Sequence, residues 1–268
     1  MFRITPGGSL TNLYFFTHDI YEGSQPHTGL TRGGDGNFYG RTYIGGWHNS
    51  GVIFRINPGG SYSNLYSFDS YHLDDFHSNA TLVPGTDGNF YGTISRGVLG
   101  GKETIFRFSP DGSLTNLYEF SGSPDGATPR GGLTLGSDGN FYGTTYDGGT
   151  AGLGTIFRIT PAGSYSNLYS FTGSPDGANP YSRLVQGSDG DFYGTTLAGG
   201  NNNSGTVFNS RAGGAASNRS ILLSGGTFVL TSGSATVNEA IGTGGIQINN
   251  EHNLITLSNT TGQITEIS

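Results

Sequence analysis

Phe-Arg-Ile-Thr-Pro at residues 2–6 is the stretch of sequence that predicts the fold, because it recurs along the chain. Near-copies stand at residues 54–58, 106–110 and 157–161, so successive copies start 52, 52 and 51 residues apart. Two further phrases keep the same step: Asp-Gly-Asn-Phe-Tyr-Gly or a close variant at residues 35–40, 87–92, 138–143 and 189–194, and Asn-Leu-Tyr-x-Phe ending at residues 16, 68, 120 and 171. A period near fifty with several strands per unit is typical of a propeller or a solenoid, in which each unit buries its apolar faces against its neighbours.

The repeat at residues 131–171 predicts four antiparallel strands. Asp138-Gly139 is a two-residue hairpin signal, because both central residues of a type I′ turn need positive φ. Thr-Pro-Ala-Gly at residues 160–163 ends the third strand, because proline cannot donate to the ladder. Phe-Tyr and Ile-Phe pairs put large groups on both faces, as expected for a sheet packed between two others. We therefore expect an all-β protein, a β-propeller of about four to five four-stranded blades, in preference to a solenoid.

The repeats also predict the domain organisation. We expect a tandem-repeat region at residues 1–218, with a half blade at 1–16 and blades at about 28–68, 79–120, 130–171 and 181–222. Residues 219–268 lack the aromatic phrases and show short β-like runs with period-two alternation. This tail is either a small separate module or a source of inner strands for a fifth blade, which would close the ring and protect its edges. An open array is expected to oligomerise.

Composition limits the function classes. There are 12 basic residues against 19 acidic ones, a formal charge of -7, and no clustered basic footprint, so neither nucleic acid nor an anionic membrane is an expected partner. The absence of cysteine removes disulfides, thiol catalysis and thiolate metal sites. The sequence contains no run of about 18 apolar residues, so it predicts no membrane-spanning helix. Met1 adjoins a strand already in register with later repeats, so we expect the start to be either a cut through a longer array or an artificially chosen boundary.

The phrases also carry a family resemblance. Asp-Gly-Asn-Phe-Tyr-Gly-Thr at residues 138–144, Gly-Thr-Ile-Phe-Arg-Ile-Thr-Pro-Ala-Gly at 154–163 and Asn-Leu-Tyr-Ser-Phe at 167–171 together resemble the GloVer tandem repeat of bacterial surface-associated choice-of-anchor proteins. The resemblance covers residues 1 to about 208. More loosely, the order is similar to blades of virginiamycin B lyase-type propellers. The first resemblance implies an exported protein, secreted or at the cell surface, and it brings no established catalytic residues.

One end of each predicted blade varies between copies. The Asp-Gly hairpin and the Pro-x-Gly turn lie at the constant end, while the Gly-Gly loop and the crossover to the next blade lie at the other. Loops on a rigid scaffold often bind ligands, so this end is the expected site. An exposed Trp47 indole would stack on a sugar or anchor a protein, although the ring could instead pack on its own blade. The candidate ligand-binding residues are Trp47, His48, His18, His27, Arg130 and Tyr181.

A second pattern on the same end suggests a metal. Imidazoles and carboxylates on one short loop could hold a divalent cation, which His18 or Asp19 would complete. The alternative is a solvated polar loop in place of Ser-Pro-Asp-Gly. The candidate ligands are His72, Asp74, Asp75 and His77, and we expect no other cofactor.

The sequence favours binding over catalysis. Glu22, Asp74, Asp125 and Asp176 occupy the same place in every crossover, which indicates a turn or cap role rather than a glycosidase pair. No G-x-S-x-G, phosphate loop or H-E-x-x-H is present. We expect a non-enzymatic module that binds glycans or proteins at the variable end. The alternatives are a polysaccharide-active enzyme, a lyase or a glycoside hydrolase, with a metal-assisted site, and a purely structural role in a surface layer or filament.

Overall fold

The computed structural model describes residues 1–17, 21–68, 81–95 and 103–210, together with the backbone of five short strands between residues 228 and 266. The described part consists of strands, turns and irregular connections, without a helix. Accordingly, no described segment is a helix that could cross a membrane.

Each repeat folds into one antiparallel sheet. The strands of the first repeats are β1 (Phe2–Ile4), β2 (Leu10–Asn12), β3 (Gly23–Ser24), β4 (Thr31–Arg32), β5 (Phe38–Arg41), β6 (Ile44–Gly45), β7 (Val52–Ile56) and β8 (Tyr62–Ser67). β1 and β2 form an N-terminal hairpin, β3 pairs with β6, and the order β4-β5-β7-β8 defines blade 1. Blade 2 contains β9 (Val83–Pro84), β10 (Phe90–Ile94), β11 (Thr104–Phe108) and β12 (Leu114–Glu119).

The later repeats follow the same plan. Blade 3 contains β13 (Thr134–Leu135), β14 (Phe141–Thr145), β15 (Thr155–Ile159) and β16 (Tyr165–Ser170). In blade 4, β17 (Ala178–Pro180) is a crossover strand that pairs with the end of β19 (Phe192–Ala198), while β18 (Val185–Gln186), β19 and β20 (Val207–Ser210) correspond to the first three strands of blade 3. The position of the fourth strand lies outside the described residues. These sheets confirm the predicted all-β, propeller-type array of four-stranded blades.

The tail strands pair differently from the blades. They are β21 (Phe228–Leu230), β22 (Ala235–Val237), β23 (Ile246–Ile248), β24 (Ile255–Leu257) and β25 (Ile264–Glu266). β21, β23 and β25 form one parallel sheet, and β22 pairs in parallel with β24. The predicted domain boundary after residue 218 lies outside the described residues, so the limits and the mode of ring closure stay predictions.

A glycine in each second strand allows the blade to close around a buried ring. A Cβ on Gly143 would lie 2.5 Å from Cζ of Phe157, and one on Gly92 would lie 2.6 Å from Cζ of Phe106. The strand that carries this phenylalanine has a bulge just before it, between Ile156 and Phe157 in blade 3. Any larger residue in place of the glycine would collide with the ring, because cores have native packing density and few voids. This explains why glycine follows Phe-Tyr in all four copies.

Aromatic rings join each blade to the next. The Tyr39 ring lies 4.3 Å from Phe90, and Tyr91 lies 4.0 Å from Phe141, measured between ring centroids. Tyr142 contacts Phe192 in the same way at 4.0 Å. In blades 2 and 3 the tyrosine of the Phe-Tyr pair therefore packs on the following blade and the phenylalanine on the preceding one. Both faces of an internal blade are buried, as the paired apolar residues predict.

The hairpin at the constant end differs from the predicted turn. Gly36 N–H donates to the Gly33 carbonyl at 3.1 Å, Gly33 N–H donates to the Asn37 carbonyl at 2.8 Å, and Gly36 has a φ of 80°. Asp35 does not have positive φ. The loop is therefore a three-residue connection with glycine at the left-handed position, and the expectation of a type I′ turn is wrong. The physical reason is that the Asp35 side chain caps the loop from a normal backbone conformation.

Candidate functional site

The variable rim is the set of Gly-Gly loops and crossovers at one end of the blades. The structure brings these two kinds of segment together in each blade where both are described. β3 of the first crossover pairs with β6 of the first Gly-Gly loop, and β17 pairs with the end of β19. In blade 3 Ala127 bridges to Asp147. Residues that differ between copies and lie far apart in sequence therefore share one edge of the protein.

The rim acids have a structural role where they are described. Asp125 accepts hydrogen bonds from the Tyr118 hydroxyl and from Ser121 Oγ, the latter at 2.6 Å. Burial alone would raise the pKa of Asp125, but these hydrogen bonds outweigh it and lower the pKa below its usual value. A general acid for glycoside hydrolysis needs a raised pKa. This carboxylate therefore caps its crossover, as the repeat pattern predicts.

The same cap recurs in the neighbouring crossovers. Asp176 accepts from the Tyr169 hydroxyl and, at 2.8 Å, from Thr172 Oγ1. Glu22 accepts from the Tyr14 hydroxyl and, at 2.8 Å, from Thr17 Oγ1. Because each carboxylate is committed to local donors, the caps hold the rim in place and are not a paired acid and base.

Trp47 projects from the rim of blade 1. Its side chain is 71% exposed, and the ring meets the exposed ring of Tyr21 edge to face, with centroids 5.2 Å apart. The loop beneath is held by Asn49, whose Oδ1 accepts from Gly45 N–H at 3.0 Å. Tyr21 is held through its carbonyl, which accepts from Asn64 Nδ2 at 2.7 Å. The two rings are thus presented to solvent by an ordered backbone, with the exposed side chain of His48 beside them.

His27 forms a smaller aromatic pair on the same rim. Its ring lies 5.1 Å from the ring of Tyr43, and the His27 side chain is exposed. These two positions correspond in blade 3 to Arg130 and Tyr146. The same two rim positions are therefore in contact in blades 1 and 3, but the histidine of blade 1 is an arginine in blade 3.

Arg130 meets two tyrosines between blades 3 and 4. Its guanidinium carbon lies 4.8 Å from the Tyr146 ring centroid and 5.5 Å from that of Tyr181. The two rings are nearly perpendicular, at 87°, with centroids 6.3 Å apart. Tyr181 is 45% exposed and Arg130 is half-buried. We call these three residues the Arg130 corner.

The structure leaves part of the predicted site undescribed. His18 and Asp19 lie outside the described residues, and so does the whole proposed metal loop of His72, Asp74, Asp75 and His77. Among the residues that are described, no group of three His, Cys, Asp or Glu side chains is placed to hold a metal ion. The metal site therefore stays a prediction.

Three rim aromatics were not among the predicted site residues. Tyr21, Tyr43 and Tyr146 each contact a predicted residue, Trp47, His27 and Arg130 respectively. A signal existed for two of them, because the position of Tyr43 and Tyr146 varies between copies as Tyr, Ser, Tyr and Leu. Their pairing with the crossover residues could not be derived without the fold.

Comparison with known proteins places the repeats in a family. A family model described as the Gloeobacter/Verrucomicrobia repeat matches residues 71–245, well over half of the chain. This confirms the resemblance noted from the repeat phrases. No curated protein matches the chain.

Solved structures resemble the chain only distantly. A putative gluconolactonase is 16% identical with a TM-score of 0.43, and the likeness covers 73% of this chain and 63% of that one. The extracellular domain of a putative one-component system from B. thetaiotaomicron is 12% identical with a TM-score of 0.46, over 69% of this chain and 21% of that one. A fucose lectin from Kordia zhangzhouensis is 12% identical with a TM-score of 0.31, over 54% and 98%. The chain spans less than two thirds of the first two, and no activity follows from likenesses at this level.

Proposed function

The chain belongs to the Gloeobacter/Verrucomicrobia repeat family, and on that premise we propose that it is an extracellular or cell-surface module that binds glycans or proteins through the variable rim. A binding or scaffold role is compatible with a repeat scaffold whose loops differ from copy to copy. The family itself assigns no ligand, so the proposal rests on the chemistry of the rim.

The exposed Trp47–Tyr21 pair is the main support for this proposal. Exposed aromatic groups that are held rigidly lose little conformational entropy when they bind, and they suit the apolar faces of sugars or anchors of protein partners. The scaffold does not require them, since the equivalents of Trp47 in blades 3 and 4 are Thr150 and Asn201. Trp47 is not needed by the fold and points outward from an ordered loop, which supports a role in ligand recognition.

Binding to a glycan array and to extracted cell-wall polysaccharides tests the proposal. We expect the wild-type chain to bind and Trp47→Ala to weaken binding about tenfold, which corresponds to ~1.4 kcal/mol of lost ring contact. Phe15→Ala is the matched control, because Phe15 is 70% exposed but lies outside the Gly-Gly loops and crossovers. Equal binding by all three proteins, or no binding to any glycan or protein preparation, would contradict the proposal and favour a purely structural role.

The alternative is a polysaccharide-active enzyme, a lyase or a glycoside hydrolase, with a metal-assisted site on the same rim. The described carboxylates of the rim do not favour it, because they bond local donors as caps, and the pKa values of Glu22 and Asp125 are lowered by these hydrogen bonds. Product analysis of the same polysaccharides, with and without EDTA, decides between the two. Turnover that EDTA abolishes, and that His77→Ala also abolishes, would replace the binding proposal by the enzyme.

A further inference from the structure

We propose that the Arg130 corner binds the carboxylate of an acidic sugar, a hexuronic acid unit of a glycan. This inference rests on the proposed binding function and names its ligand class at one place on the rim. The corner joins a cation to two tyrosine rings, one from the Gly-Gly loop of blade 3 and one from the crossover into blade 4. It therefore lies on the boundary between two blades.

The scaffold does not require an arginine at this position. Aligned copies have His27 and Tyr181 in place of Arg130, and Tyr43 and Leu197 in place of Tyr146. Blades 1 and 4, which carry these alternatives, form the same inner-strand pairing without this cation. The arginine is therefore a feature of one boundary and not a structural element of the repeat.

Arg41 is an example of an arginine with a structural role, and its environment differs from that of Arg130. It is fully buried between blades 1 and 2, with its guanidinium carbon 4.9 Å from the Phe68 ring and its Nη1 donating to the Thr93 carbonyl at 3.4 Å. Burial lowers the pKa of Arg41 to about 10. Arg130 differs, because it is only half-buried and opens to the rim beside the exposed ring of Tyr181.

Arg130 also has hydrogen-bonding capacity that the described protein does not use. Its Nε is buried and has no hydrogen-bond partner among the described residues, none of which offers it a carboxylate. Oγ1 of Thr144 is likewise buried without a partner among these residues, and it lies against Gly131, the next residue in the chain. Buried polar atoms usually have a partner, in protein, water or ligand. Nε of Arg158 lacks a partner in the same way, so what distinguishes Arg130 is its position beside the exposed rim without a carboxylate partner among the described residues.

A carboxylate fits this arrangement better than a neutral group. The edge of a guanidinium can give two parallel N–H···O bonds to a carboxylate, and the terminal Nη groups of Arg130, which are not among its buried unpartnered atoms, can supply them. The Tyr146 and Tyr181 rings already occupy the aromatic contacts around the guanidinium, so its N–H edge is what remains for a ligand. The exposed Tyr181 ring could contact the C–H face of the same sugar. One positive charge matches one carboxylate per sugar unit.

The test uses the whole chain and a pair of ligands that differ at the carboxyl group, which is charged in one and a neutral methyl ester in the other. Oligogalacturonate and its fully methyl-esterified form are titrated by calorimetry at low and at high salt. We expect the acid form to bind at least about tenfold more tightly at low salt, and its affinity to fall as salt screens the ion pair. Arg130→Gln should reduce the affinity for the acid form to that of the ester and leave the ester unchanged. The affinity of Arg130→Lys for the acid form should lie between those of the wild-type chain and Arg130→Gln, because lysine keeps the charge and loses the two-bond geometry.

Two further variants make the outcome specific. Arg32→Gln removes an exposed arginine of β4 and should change neither affinity. Tyr181→Ala should lower the affinity for the acid form and for the ester by a similar factor. Each variant must show wild-type circular dichroism and melting temperature before its affinity is interpreted.

Equal affinity for the two forms, no binding of the acid form, or an unchanged affinity in Arg130→Gln would overturn this inference. The proposed function would survive any of these results if the chain still bound another glycan or a protein in a manner sensitive to Trp47→Ala. It would fall only if that binding were also absent, so the two failures are distinguishable.

Discussion

The two ends of a blade differ in their side-chain contacts: those of the constant end repeat from blade to blade, and those of the variable rim change. At the constant end, Asp35 accepts from Asn37 N–H at 3.1 Å, from Asn37 Nδ2 at 2.6 Å and from the Tyr39 hydroxyl at 2.8 Å. Blades 2 and 3 repeat these bonds nearly unchanged. At the variable rim the corresponding places hold a tryptophan on a tyrosine, a histidine on a tyrosine, or an arginine between two tyrosines.

This difference indicates that the constant end stabilises the fold and that the variable rim offers groups for ligand binding. The aspartate, asparagine and tyrosine of each described constant hairpin in blades 1 to 3 bond one another, so these groups are already committed within the hairpin. The Arg130 corner has a buried donor without a described acceptor, and Trp47 keeps most of its surface in solvent. We expect substitutions in the shared scaffold to change stability, and substitutions on the rim to change binding with little change in stability.

The largest expected effect comes from the buried ring inside each blade. Phe157→Ala should lower the free energy of unfolding by about 3–5 kcal/mol, because it leaves a cavity under Gly143 and removes the contact with Phe120. Phe2→Ala is the matched control, since Phe2 has the same position in the N-terminal hairpin and is 64% exposed. It should cost no more than about 0.5 kcal/mol. Urea titration followed by tyrosine fluorescence measures both, and similar losses in the two variants would refute the repeat alignment.

A smaller effect is expected at the constant hairpin. Asp138→Ala removes the acceptor for Asn140 N–H, Asn140 Nδ2 and the Tyr142 hydroxyl, and should cost about 1–3 kcal/mol. The rim carboxylate Asp147 accepts from Thr128 Oγ1 at 3.0 Å, so Asp147→Ala should cost less. The comparison of the two ends would be wrong if differential scanning calorimetry showed the rim variant to be the less stable one.

The smallest expected effect is a loss of stability at high pH. Burial, followed by the hydrogen bond to its aspartate, raises the pKa of Tyr39 and of Tyr142 to about 12, against about 10 in an unfolded chain. A raised tyrosine pKa favours the neutral form in the folded state, so its stabilisation is complete below about pH 10 and is lost between about pH 10 and 12. The melting temperature should fall over this interval. Tyr142→Phe should reduce the slope of this fall; a slope equal to that of the wild-type chain would contradict the assignment.

The sequence predicted the scaffold well because its signals are local and repeated. The phrase containing Gly143 and the phrase containing Phe157 recur in step, so their contact follows once neighbouring strands are paired. The turn at Asp35 was predicted wrongly, because an Asp-Gly pair is compatible with more than one hairpin loop. The side-chain bonds to Asn37 and Tyr39 select the three-residue form, and they depend on strands that the turn alone does not specify.

The candidate site stays a prediction, and the sequence alone indicated only some of the residues that meet there. Trp47, His27, Arg130 and Tyr181 stand out as departures from the repeat, and the structure places all four on the rim. Their partners did not stand out: Tyr21 is one residue before a crossover acid, and Tyr146 follows a strand. A contact between a crossover and a Gly-Gly loop joins residues from two separate segments, so neither segment predicts it alone.

The order of amino acids was sufficient to establish the period, the strands, the buried rings and the end of the blade that varies. These properties follow from periodicity and from residue chemistry, which are visible along the chain. Which rim side chains meet, how far each is exposed and which polar atoms have no described partner follow from packing. They depend on distances across blade boundaries, such as that between Arg130 and Tyr181, and those distances exist only when the repeats are stacked.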